Sequence, residues 1–224
     1  MTTRHLKMGA MTRTSGVVLT CAVAAAIAGA LVSAAPGQPS DGKPLIDNAR
    51  VTVFDRKATP SEPLGHLRSA ERDVVVVAVG KPGTGSVAFL PKGKGDTGAD
   101  ASAVAQTDRA IVIQIKDGSS PHYQNTSGHP AAFPRPGSKR LLDNSSVVVW
   151  DYTWKTGVPT PVHFHDKDVI VVYLEDGVLK STDPSGTSVD NEHYFGYTKF
   201  NPGNRVHTET LVRGKGRAII VELK

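Results

Sequence analysis

Short runs of β-branched apolar residues, separated by turn residues, dominate the chain from residue 45 onward. Val74–Val77 and Val147–Val149 are two such runs, and clusters such as Pro82-Gly83 and Asp176-Gly177 separate them from the next. Runs of this length between Gly, Pro and Asp clusters are typical of β-strands. Since no segment beyond the N-terminus sustains a helical period, the pattern predicts an all-β sandwich or barrel.

The second half of the chain repeats the pattern of the first half. Three segments recur in the same order: Leu45–Asp55 as Leu141–Asp151, Asp73–Val77 as Asp168–Val172, and Arg109–Lys116 as Arg217–Lys224. In the first pair, six of the eleven positions are identical, and several of these are polar. Valine-rich strands can match by accident, but ordered matches with polar identities indicate a duplication, with a period too long for a solenoid. We therefore predict two modules, 45–117 and 141–224.

The N-terminus has the composition of an export signal. Met1–Ser15 contains three basic residues and no acid, Gly16–Ala34 is small or apolar, and Val32-Ser33-Ala34 resembles a cleavage site. We predict a signal peptide over 1–34, a flexible tether over 35–44, and a secreted or periplasmic protein. The alternative is an uncleaved membrane anchor, because the apolar run reaches the ~18 residues that a span requires. Cys21, the only cysteine, lies in this segment, so the mature chain would have no thiol.

Composition limits the remaining possibilities. Residues 118–140 are rich in Gly, Pro, Ser and Asn and lack apolar periodicity, which predicts a linker. Three basic residues of the predicted signal contribute to the formal net charge of +5. The rest of the chain therefore has only the small net charge of an ordinary protein surface. No basic run is interleaved with aromatic residues, so nothing supports binding to nucleic acid.

The second module carries the candidate chemistry at His163-Phe164-His165. On a β-strand, alternate side chains point to the same face, so the two imidazoles can converge on one metal. A lone pair of histidines with this spacing is equally often structural. The residues around this pair favour the metal site.

The spacing around these histidines resembles the two sequence motifs of the cupin superfamily. These motifs are Gly-(five)-His-x-His-(three or four)-Glu-(six)-Gly and Gly-(five)-Pro-x-Gly-(two)-His-(three)-Asn. The matching positions are Gly157, His163, His165, Gly177, Gly196, Pro202 and His207. Ile170 stands at the usual carboxylate ligand, Leu211 at the final Asn, and Asn204 at a motif glycine. The resemblance implies two tandem double-stranded β-helix (jelly-roll) barrels.

The resemblance also implies a metal site in the second module alone. Three neutral imidazoles, His163, His165 and His207, would hold a divalent ion, with Fe, Zn, Ni or Cu favoured over Mn. Some cupins with three histidines are thiol or diketone dioxygenases. In the first module the two motif histidines align with Leu67 or Arg68 and with Ser69 or Ala70, and His66 is alone. We therefore expect the first module to be degenerate and structural, packing against its partner.

Other candidates are weaker. Glu209 and His193 are the candidate catalytic acids or bases, and Glu209, two residues after His207, is also a candidate replacement ligand. His193 and Tyr194 are expected near the barrel mouth or in a loop. The remaining candidates are Tyr152, Trp154 and Tyr173, as core residues or cavity walls, and His122 and His129, as solvated linker residues. Three hypotheses stay open: a metal-dependent enzyme, dioxygenase-like or isomerase-like, that acts on a small molecule; a non-catalytic module for a metal or small ligand; and a structural bicupin with a relic site. A homodimer is compatible with each of them.

Overall fold

The computed structural model describes residues 42–59, 64, 71–93, 107–118, 121 and 123–224. The predicted signal peptide, most of the predicted tether, and the histidines His66 and His122 lie outside the described residues. All secondary-structure elements with assigned bounds are β-strands, as the apolar pattern predicted. Among the described residues, no helix has the length and apolarity needed to cross a membrane.

The first module contributes one antiparallel sheet of five strands. Its strands are β1 (Ile46–Asp47), β2 (Val51–Lys57), β3 (Val74–Ala78), β4 (Ser86–Leu90) and β5 (Arg109–Ile115). They lie in the order β1-β2-β5-β3-β4.

The second module contains two antiparallel sheets that form a jelly-roll barrel. Its strands are β6 (Lys139–Asp143), β7 (Val147–Trp154), β8 (His163–His165), β9 (Val169–Tyr173), β10 (Gly177–Thr182), β11 (Ser188–His193), β12 (Thr198–Asn201), β13 (Arg205–Gly214) and β14 (Gly216–Leu223). One sheet has the order β12-β9-β14-β7-β6 and the other the order β11-β10-β13-β8. The all-β jelly-roll class predicted from the sequence is confirmed.

The two five-stranded sheets are copies of each other. Strands β1, β2, β3, β4 and β5 occupy the positions of β6, β7, β9, β12 and β14. Polar residues that are identical in the two halves of the repeat form the same contact in both sheets. Asp55 pairs with Arg109 across β2 and β5, and Asp151 pairs with Arg217 across β7 and β14, each at 2.7 Å. The sequence repeat therefore preserves polar contacts between strands as well as the apolar strands themselves.

The main hydrophobic core lies between these two sheets. Alternate residues of the central strands point into it, and all are fully buried: Val51, Val53, Val75, Val77, Ile111 and Ile113 from the first module, and Val147, Val149, Ile170, Val172, Ile219 and Val221 from the second. The intervening residues of β7, β9 and β14 line the inside of the second barrel. Both faces of these strands are covered, which explains why their sequences read as continuous apolar runs.

The modules differ in the segment that joins β3 to β4 in the first module and β9 to β12 in the second. In the second module, the hairpin β10–β11 lies between β9 and β12 and forms half of the second sheet. In the first module, β3 is joined to β4 by Val79–Gly85, which contains no strand. The described residues of the first module therefore form a single sheet, and a second wall for that module stays a prediction.

Candidate metal centre

The three motif histidines come together on two neighbouring strands of the second barrel. His163 and His165 lie on β8, and His207 lies on β13 directly opposite His163 in the antiparallel pair. Residues two apart on a strand, and residues paired across two strands, share one face of the sheet. All three side chains are buried on that inner face. The sequence-predicted triad is thus assembled by the pairing of β8 with β13.

The geometry of the triad fits a single metal ion. One ring nitrogen from each histidine lies within 4.8 Å of the others. The Nε2 atoms of His165 and His207 are 3.0 Å apart. With metal–nitrogen bonds of about 2.1 Å, ligand nitrogens in such a site are about 3.0–3.4 Å apart. A small convergence of the three rings would therefore complete the coordination.

Hydrogen bonds on the far sides of two rings orient them toward this point. Nδ1 of His163 lies 2.8 Å from the Pro161 carbonyl oxygen, which can only accept, so Nδ1 carries the proton and Nε2 is left with a lone pair. Nδ1 of His207 is 2.8 Å from the hydroxyl oxygen of Ser181. Such outer contacts fix the tautomer and the direction of metal-binding imidazoles. Nδ1 of His165 is buried without a hydrogen-bond partner among the described residues.

Burial keeps the three imidazoles neutral. It lowers the pKa of His163, it lowers the pKa of His207 to about 4, and it holds the pKa of His165 well below its usual value. The charged Arg135 and Arg205 side chains act in the same direction on His163 and His207. Because a metal binds the deprotonated ring, these shifts favour ligation at neutral pH.

A cavity of about 270 Å³ opens beside the histidines inside the barrel. His165 and His207 form part of its wall, as do two of the three aromatic candidates, Trp154 and Tyr173, whereas Tyr152 is not among the lining residues. Its polar lining includes Arg135, Ser181, Asn191, Lys199, Asn201, Arg205 and Glu209. The described barrel therefore offers room for a small molecule next to the candidate metal position.

Arg135 is a site residue that the sequence did not reveal. The second half of the predicted linker enters the barrel, with a bridge between Ala131 and Phe164 of β8. This places the Arg135 guanidinium over the Tyr152 ring, with its carbon 4.0 Å from the ring centroid. Its Nη1 donates to Nε2 of His163 at 3.4 Å, so this hydrogen bond must be given up when a metal binds there. The only sequence signal was an Arg between two prolines in an otherwise polar segment.

Glu209 lies in the cavity wall, two residues after His207, as predicted, but its partners are not the histidines. Its Oε2 accepts hydrogen bonds from Arg135 at 3.2 Å and from Trp154 Nε1 at 3.1 Å. Burial alone would raise its pKa, but the Arg135 guanidinium and the nearby histidines outweigh that effect and lower the pKa to about 2. Glu209 is therefore an ionised anchor for Arg135, and the cluster of converging donors in the described residues consists of the three histidines.

His193 is buried but is not among the residues that line the cavity beside the triad. Its ring stacks on Tyr173 with centroids 4.2 Å apart, and its Nε2 is 3.2 Å from the Lys215 carbonyl oxygen. Together with Tyr194 it lines a separate groove that contains none of the three motif histidines. The ring of His193 therefore points from β11 toward β9, and a role for His193 as an acid or base stays a prediction.

Ile170 does not occupy the position of a missing metal ligand. It is fully buried in the core between the two five-stranded sheets, on the opposite face of β9 from the cavity. Its neighbours Val169 and Val171 line the cavity instead. The motif permits three or four residues after the second histidine, and the shorter spacing ends at Val169, from which seven residues instead of six lead to Gly177. The structure favours this shorter spacing, so valine replaces the carboxylate on the inner face.

Comparisons with known proteins identify similar folds. No family model and no curated protein matches the chain. Among solved structures, a cupin domain from Bordetella pertussis is 26% identical over 42% of this chain and 99% of its own, with a TM-score of 0.35. A cupin 2 conserved barrel domain protein from Leptotrichia buccalis is 12% identical over 81% of this chain and 88% of its own, with a TM-score of 0.42. The chain is thus similar to cupin-domain proteins, as its motifs indicated.

Proposed function

We propose that this protein is a metal-dependent enzyme that holds a divalent transition metal with His163, His165 and His207 and a small molecule in the adjoining cavity. The observation that carries the proposal is the convergence of three neutral, buried imidazoles on the wall of that cavity. Neutral nitrogen donors suit Fe, Ni, Cu and Zn better than Mn.

The chain supplies the binding pocket, and the metal would supply the reactivity. A bound transition metal with open positions polarises an oxygen or activates a small molecule at neutral pH. His163 and His207 are held for this role by Pro161 and Ser181. Dioxygenase-like or isomerase-like chemistry is what the resemblance of the motifs to cupins implies.

Glu209 supports a second candidate, a non-catalytic module for a metal or small ligand. A general base works best when its pKa is near the working pH. The pKa of Glu209 is about 2 and its carboxylate is engaged by Arg135 and Trp154, so it is a poor proton acceptor. Of the described residues that line the cavity, it alone carries a carboxylate.

Metal content tests the site itself. The purified full chain, assayed by mass spectrometry of its elements, is expected to contain about one transition metal per chain, because the motif histidines occur only in the second module. Changing any one of His163, His165 and His207 to Ala should greatly reduce that content, because two protein donors then remain. His129→Ala is the matched control and should bind normally. Unchanged content in all three variants overturns the proposal, and two tightly held ions per chain contradict the asymmetry between the modules.

Turnover separates the enzyme from the binding module. Oxygen uptake by the iron-loaded chain is measured with cysteine and with acetylacetone, a thiol and a diketone. Uptake that disappears in His207→Ala and persists in His129→Ala supports the dioxygenase-like enzyme. Tight metal binding without oxygen uptake with either probe supports the non-catalytic module.

A further inference from the structure

The cavity beside the three histidines is lined by more positive than negative side chains. Its walls include Arg135, Lys199 and Arg205 but only one carboxylate, that of Glu209. Glu209 is paired with Arg135 at 3.2 Å. Within the described residues, neither Lys199 nor Arg205 has a carboxylate within 4 Å. In the described part of the chain, these two positive charges therefore have no direct ion-pair partner, and the Glu209 carboxylate acts on them only from a longer distance.

Both cations keep donors free for a ligand. Nζ of Lys199 donates to the Asn191 side-chain oxygen at 3.0 Å, and Nε of Arg205 donates to the Pro202 carbonyl oxygen at 2.9 Å. A lysine has three donor hydrogens and an arginine five, so each side chain can make further hydrogen bonds. These two hydrogen bonds orient the side chains of Lys199 and Arg205 along the cavity wall without neutralising their charges.

Partial burial makes these charges unfavourable in the free protein. Burial lowers the pKa of Lys199, which reflects the loss of water around its ammonium group. A buried charge is stabilised when an opposite charge with hydrogen-bonding oxygens lies beside it. An anionic ligand would meet this requirement in the same cavity.

We propose that the ligand of this cavity is a small organic anion whose carboxylate or phosphate group pairs with Lys199 and Arg205. The proposal deepens the proposed function and rests on it for the neighbouring metal. The cavity, at about 270 Å³, is smaller than most pockets for drug-sized ligands, which begin near ~300 Å³. Val169, Val171 and Leu179 form apolar walls, which suit a short hydrocarbon body behind the charged group.

Titration calorimetry on the full chain, metal-stripped and metal-loaded, tests the proposal. The probes are succinate, its neutral analogue succinamide, and inorganic phosphate. We expect succinate or phosphate to bind about tenfold or more tighter than succinamide, because hydrogen bonds between charged groups are the stronger ones. The better of the two anions identifies the charged group. Replacing Lys199 and Arg205 together by Met should remove this preference. The matched control replaces Lys180 and Arg213, which are exposed on β10 and β13, and should retain it.

The outcomes separate this proposal from the metal site. A preference that persists in the metal-stripped chain supports the cationic pair, even if the chain proves unable to bind metal. A preference seen only with metal bound places the anion on the metal and overturns the inference, as does equal binding of succinate and succinamide. Lys199→Arg keeps the charge and should keep the preference for the anion. Loss of the preference in this variant as well would indicate disruption of the fold and not removal of the charge.

Discussion

The Nε2 atoms of His165 and His207 lie 3.0 Å apart although 42 residues separate them in the chain. The strands β9 to β12 are formed by the residues between them. The pairing of β13 with β8 closes this loop and brings the two rings together. The candidate metal site therefore depends on the pairing of two strands that are distant in the sequence.

A carboxylate introduced at Val169 and one introduced at Ile170 should have opposite effects. Val169 lines the cavity, so Val169→Glu adds an oxygen ligand on the inner face and should tighten the binding of Mn, a metal that prefers oxygen donors. Ile170 is fully buried between the sheets, so Ile170→Glu should lower the free energy of unfolding by several kcal/mol without a gain in Mn affinity. Urea unfolding and Mn titration of both variants measure this. Tighter Mn binding by Ile170→Glu would contradict the orientation of β9.

The stability of the metal-free protein should fall in mildly acidic solution. The pKa of His207 is lowered by burial from 6.5 to about 4, so between these values the unfolded chain binds a proton that the folded chain does not. The free energy of unfolding then decreases as the pH drops from 6.5 to 4, by about 3 kcal/mol from His207 alone. Urea unfolding of the metal-free chain at several pH values measures the slope. His207→Gln should reduce it, and a flat profile would show that the imidazole is accessible to protons.

The two equivalent ion pairs of the repeat should differ in their contribution to stability. Asp55 is 3% exposed and its partner Arg109 is 14% exposed, whereas Asp151 and Arg217 are 17% and 29% exposed. Removing the partner of a buried carboxylate costs about 3–5 kcal/mol, because the charge is left uncompensated. Arg109→Met should therefore lower the free energy of unfolding by about that amount, and Arg217→Met by less. Equal losses in chemical denaturation would mean that burial does not distinguish the pairs.

Export stays a prediction of the N-terminal sequence. The basic start, the apolar run and Val32-Ser33-Ala34 predict cleavage near Ala34–Ala35. Sequencing of the N-terminus of protein isolated from its native host measures this directly. Protein that retains Met1 and sediments with membranes would support the anchor and reject cleavage.

The sequence by itself determined the all-β class, the repeat and the identity of the three histidines. Apolar periodicity and turn residues are local properties, so they specify strands without knowledge of the fold. The repeat was readable because Asp55 with Arg109 and Asp151 with Arg217 preserve the same cross-strand contact in both modules. His163, His165 and His207 were readable because their spacing is similar to a family motif.

Only the tertiary structure decided which side of each strand faces the cavity and what surrounds the triad. A shift of one residue in the register of a strand moves each of its side chains to the other face of the sheet. Strand β9 is apolar on both faces, so its sequence alone did not distinguish Ile170 from Val169. Arg135 reaches the site from a segment without periodicity, and Glu209 is bound by Arg135 through a contact between residues 74 positions apart. Such contacts depend on how distant segments pack, and that information is not contained in any local pattern.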